Sequence, residues 1–160
     1  MADWEAFFTA QVAASATLAG LMFVGLSLNL AKILSNASLA NRALAGFYLL
    51  IAILIVSSLQ LVPGQSSTFA GAEILAVGLA IWLAGSRLDL ASVRQSEAEY
   101  RHHFVRHSIL FQVAVVPYLL GGILVMMGSP SGFYWAAASI VASLAVVLFE
   151  AWVLLVEINR

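Results

Sequence analysis

Six amide or carboxylate side chains lie inside long apolar stretches of this chain: Gln11, Asn29, Gln60, Glu73, Gln112 and Glu150. Glu150 stands out, because it interrupts VASLAVVLFEAWVLLVE, residues 141 to 157. At 100° per residue, Ser139, Ser143, Glu150 and Glu157 fall within about 40° of one another, so a helix gathers them into one polar stripe. A carboxylate near the centre of a membrane helix costs about 2.5 to 3.5 kcal/mol on insertion scales, so it turns towards protein or water and not towards acyl chains. Two chemistries fit such a stripe. Glu150 can hydrogen-bond Gln112 and Asn29 and so fix the register of a bundle. Alternatively, an oligomer can turn the stripe towards a shared axis, where a ring of carboxylates attracts cations.

Depth along the helices sorts the remaining polar residues. Gln60 and Glu73 lie at similar distances either side of PGQSS, as Gln112 and Glu150 do about GSPSG. Antiparallel neighbours equally far from their turn share a level. Gln60, Glu73 and Gln11 are therefore expected in the outer leaflet, and Gln112, Glu150 and the deeper Asn29 in the inner one.

A second group is Glu99, His103 and His107, spaced four residues apart, so that neighbouring members can approach one metal ion. Three ligands at this spacing extend over about 12 Å of helix, too far for one ion without another chain or helix. Arg101 and Arg106 alongside make a juxtamembrane surface facing anionic headgroups the simpler reading. Titration near neutral pH could make the segment pH-responsive. The chain has no cysteine, which removes disulfides, thiolate metal sites and cysteine nucleophiles. It has no nucleotide-binding glycine loop and no serine matched to a histidine and an acid. No enzyme activity, no cofactor and no nucleic-acid partner are expected.

The elements that must position these residues follow from composition. Of 160 residues, 62% are hydrophobic and 9% charged, more apolar surface than a soluble domain of this length could hide. Five segments reach the roughly 20 residues needed to cross a hydrocarbon core of about 30 Å. They are expected near 7–30, 43–62, 68–88, 107–127 and 133–156, with turns at SNASLAN, PGQSS and GSPSG. The fold expected is all-α: one integral membrane helical bundle over 1–160, with five transmembrane helices. SEAE at Ser96 to Glu99 reads as a capping box, so the fourth helix should begin there and extend into the cytoplasm, running about 45 Å to Met127 with a bend at Pro117. Asp3 and Glu5 at the start argue against a cleaved signal peptide.

Lys32, Arg42, Arg87, Arg94, Arg101, Arg106 and Arg160 all fall on one side of a five-span topology. Because Lys and Arg concentrate in short cytoplasmic loops, the N-terminus is expected outside and the C-terminus in the cytoplasm. Close packing should come from small residues, with Ala72, Ala76, Ala80 and Ala84 forming one ridge and Ala13, Ala16 and Gly20 another.

The opening span, FFTAQVAASATLAGLMFVGLSLNLAKIL, is similar to the first helix of a group of small bacterial multi-spanning membrane proteins, some labelled modulators of a membrane ATP-dependent protease. The resemblance implies a bacterial inner-membrane location and carries over no functional residues. Two functions are expected. One is a homo-oligomeric pathway for ions or small solutes, lined by Glu150 and the serine stripe. The other is a non-conducting accessory subunit that docks on a membrane protein partner through its alanine ridges and cytoplasmic helix.

Overall fold

A computed structural model describes residues 2–35, 37–95 and 101–158; at several helix ends, including 91–95 and 101–107, only the backbone is described. Every described element is helical: α1 (Ala2–Leu28), α2 (Leu30–Leu34), α3 (Ala37–Gln60), α4 (Ser67–Gln95), α5 (Arg101–Met126) and α6 (Ser131–Ile158). A chain this apolar has little choice, because in lipid a helix satisfies each backbone N–H and C=O within its own segment. Five of the helices contain windows long and apolar enough to cross a membrane: Trp4–Leu28, Leu39–Gln60, Ser67–Leu88, Ser108–Met126 and Ser131–Leu154. The expected spans agree with these to within four residues at each end. The protein is an all-α, multi-pass membrane protein.

Two expectations about boundaries change. SNASLAN is not a loop throughout: α3 begins at Ala37, so Arg42 lies in its second turn and not in a connection. The proposed capping box at Ser96 to Glu99 lies outside the described residues, and α5 is helical from Arg101 and continuous through Pro117.

The turns are built by local chemistry. At the start of α4 the Ser66 hydroxyl accepts the Phe69 N–H at 3.3 Å, an N-terminal cap. After α5 the Gly128 N–H reaches the Val125 carbonyl and the Ser129 N–H the Leu124 carbonyl, each at 2.9 Å. This paired closure requires a left-handed residue, which Gly128 supplies at φ 78°.

The N-terminus of α1 and the α3–α4 and α5–α6 turns share one end of the bundle. There Trp4 packs against Phe133 and Tyr134 with ring centroids 5.9 and 4.9 Å apart, and Phe7 and Phe8 complete the cluster. This is the aromatic end. Lys32, Arg42 and Arg87 lie towards the other, the basic end. Helix α3 is the hub, touching α1, α4 and α6, while α5 fits between α4 and α6.

Glycine, not alanine, brings these helices together. Gly71, Gly78 and Gly85 recur every seven residues on α4 and are buried against α5, whereas Ala76 and Ala80 are exposed and Ala72 and Ala84 half-buried. A Cβ on Gly122 would lie 2.7 Å from the Leu75 nitrogen and 2.9 Å from the Gly71 carbonyl oxygen. One on Gly121 would lie 2.8 Å from the Gly132 carbonyl oxygen of α6. The adjacent glycines of α5 thus seat a different neighbour on each side. Backbone approach this close is the main source of association when lipid removes the hydrophobic drive.

Candidate functional site

The site grows from two polar residues that the helices bring to one level. Arg42 is eighteen residues before Gln60, the end of α3, and Glu150 nineteen after Ser131, the start of α6. The two helices run antiparallel and in contact, so the side chains meet. Arg42 Nη2 lies 2.7 Å from Glu150 Oε2, and Arg42 Nε donates to the same oxygen at 2.8 Å. The Glu150 side chain is 2% exposed and that of Arg42 21%. Glu150 is eight residues from Ile158, the end of α6, so the pair lies towards the basic end of the bundle. Charge-assisted hydrogen bonds offset the cost of taking both ions out of water.

Two further residues of the stripe are enclosed in the same protomer. Ser139 and Ser143 are fully buried. Ser139 Oγ donates to the Ala114 carbonyl of α5. Ser143 Oγ faces the buried Tyr118 hydroxyl, though neither completes a hydrogen bond of normal geometry. The stripe therefore faces α3 and α5 of its own bundle, and the image of it lining an axis shared between copies does not match this arrangement.

The other candidates separate. Gln112 does not reach Glu150: its Oε1 accepts the Trp82 indole N–H at 2.7 Å, tying α5 to α4. Asn29 sits at the break between α1 and α2, with φ −126° and ψ 22° and no capping bond from its side chain. Glu73 receives Gln65 Nε2 from the α3–α4 turn at 3.0 Å on both oxygens. Gln60 Nε2 donates to the Ala70 carbonyl at 3.2 Å. The carbonyl oxygens of the Gln11 and Gln60 side chains are buried without a partner. Glu99 lies outside the described residues, as do the side chains of His103, His107 and Glu157.

Arg42 is the residue that reading the sequence for sites misses. Its signal was present: a cation and an anion at matching depth on antiparallel spans. Arg42 stands beside the polar segment after the first span, so in the sequence its charge reads as one of those that set orientation.

The Trp82–Gln112 bond gives a direct prediction. Gln112→Leu should cost about 0.6 kcal/mol, and no more than about 1.7, the range found for interhelical hydrogen bonds in membranes. Unfolding in mixed detergent micelles measures it. Adding Trp82→Phe should then cost nothing through this bond, and an additive second loss would contradict the pairing.

No protein-family model, curated protein or solved structure matches this chain. Fold and site together define a multi-pass membrane protein with a buried arginine–glutamate pair near one end of its bundle.

Proposed function

We propose that this protein is a non-conducting accessory subunit of a larger complex in the bacterial inner membrane, with its N-terminus outside and its basic end in the cytoplasm. The observation that carries this reading is the pairing of Glu150 with Arg42 inside one protomer. A carboxylate already neutralised and enclosed is a structural lock and offers little to a passing ion. The alanine ridge of α4 supports a docking role, since Ala76 and Ala80 remain exposed beside the exposed Leu79 and Leu83. Small residues flanked by leucine suit close contact with another membrane helix. The likeness of the opening span to small bacterial membrane proteins, some labelled protease modulators, is in keeping with such a role, and the clustered basic residues with its orientation.

The test places a photocrosslinking residue at Ala76 or Ala80 in native membranes and measures ion flux through liposomes holding the purified protein. A discrete heterologous adduct with flux equal to that of empty liposomes is expected. Adducts only between copies of this chain, or sustained flux, would sink the proposal. Flux would favour the second reading, a homo-oligomeric pathway for ions or small solutes. What speaks for it is the set of buried hydroxyls of Ser57, Tyr118 and Ser143 that lack a partner, which water or an ion would satisfy. On that reading Glu150→Gln alters the flux.

A further inference from the structure

Two carboxylates that lie inside spanning helices, Glu150 and Glu73, are partnered differently. Glu150 has the Arg42 guanidinium 2.7 Å away. Glu73 receives a neutral donor, Gln65 Nε2, at 3.0 Å from each of its oxygens, and among the described residues it makes no ion pair. Its own helix brings no cation near it. Arg87, the next basic residue along α4, is 14 residues further on, about 21 Å at 1.5 Å per residue.

Acceptors also outnumber donors around Glu73. A carboxylate has about four lone-pair sites, and one amide nitrogen with two N–H groups fills at most two of them. Oε1 of the same Gln65 amide is buried without a donor. So is Gln60 Oε1, whose Nε2 is spent on the carbonyl of Ala70, three residues before Glu73 on α4. The corner lacks both positive charge and hydrogens to share.

The face that Glu73 belongs to is open. At 100° per residue, Phe69, Ala76 and Ala80 fall within about 60° of it, and all three are exposed, Phe69 at 71%. Half-buried Glu73 thus stands where Gln65 meets the surface that carries the alanine ridge. An ionisable group inside a membrane calls for a partner of complementary chemistry. We propose that Glu73 is the docking point for an arginine carried by a membrane helix of the partner, which the alanine ridge seats alongside α4. Arginine suits this corner because its planar fork carries five donors and a permanent charge. The docking point rests on the accessory role and specifies the chemistry that the partner must bring.

The test uses the full chain in native membranes with a photocrosslinking residue at Ala80, alone and combined with changes at Glu73. The adduct formed with Glu73 intact should map, by peptide mass spectrometry, to a spanning segment with an arginine level with Glu73. Glu73→Gln keeps the size and removes the charge. It should lower the adduct yield about tenfold or more, as loss of one member of an enclosed charge pair does, while helix content and unfolding in detergent stay those of wild type. Glu73→Asp, which keeps the charge, should retain most of the adduct. Glu73→Arg should abolish it, and exchanging the partner's arginine for glutamate should restore it. Absence of any heterologous adduct with Glu73 intact would sink the accessory role and the docking point together. An adduct that persists in Glu73→Gln and Glu73→Arg would overturn the docking point alone. So would a crosslinked segment without a basic residue, which would leave Glu73 to an inorganic cation.

Discussion

Arg42→Leu is expected to destabilise the bundle by about 3 to 5 kcal/mol, the penalty for stripping one partner from a buried ion pair. The remaining carboxylate is 2% exposed and accepts a hydrogen bond from Arg42 Nε, so it loses its counter-charge and cannot reach water. Glu150→Gln should cost clearly less. The arginine it strands is 21% exposed, close to the basic end, and long enough to carry its guanidinium to the interface. Replacing both by leucine should recover most of the loss, since apolar side chains of similar volume often match a buried pair in stability. Unfolding of the four proteins in mixed detergent micelles, followed by loss of helicity, closes a double-mutant cycle. Equal tolerance of Arg42→Leu and wild type, or a double variant no better than Arg42→Leu, would show that the pair does not hold α3 to α6.

A second large effect is expected at the α4–α5 contact. Gly122→Val places a Cβ against the backbone of α4, 2.7 Å from the Leu75 nitrogen and 2.9 Å from the Gly71 oxygen. Backbone cannot swing aside as a flexible side chain can, so the helices must separate and forfeit their packing. The cost should exceed the about 1 to 3 kcal/mol typical of overpacking and remove most folded protein from detergent extracts. Gly20→Val is the control: its Cβ meets nothing within 4 Å, so stability should change by no more than about 0.5 kcal/mol. Size-exclusion profiles and thermal unfolding distinguish the two, and parity between them would deny that Gly122 sets the distance between α4 and α5.

Five spanning helices are legible in the sequence because each is recorded locally. Twenty apolar residues in a row need no knowledge of their neighbours to exclude other backbone structures from lipid. The turns at PGQSS and GSPSG are legible for the same reason, their glycines and serines meeting local demands such as the left-handed Gly128 and the Ser66 cap. The enclosure of Ser139, Ser143 and Glu150 follows from helical period, which puts them on one face, together with the cost of exposing a carboxylate to lipid.

Which partner that face meets is a different kind of fact. Counting from turns puts Gln112 level with Glu150, yet Gln112 points towards Trp82 on α4 and Arg42 arrives from α3. Rotation of a helix about its axis is set by all the surfaces packed on it, and no local pattern encodes it. The choice between small-residue ridges on α4 has the same origin. Alanines at intervals of four and glycines at intervals of seven are equally visible in the chain. Where Gly71 meets Gly122 the two backbones can touch, and that closer contact outweighs the alanine face. The sequence by itself determined the number, length and solvent of the helices, which depend on side chains against lipid. The tertiary structure alone decided their rotations and the Arg42–Glu150 pair, because each depends on distances between residues that the chain keeps far apart.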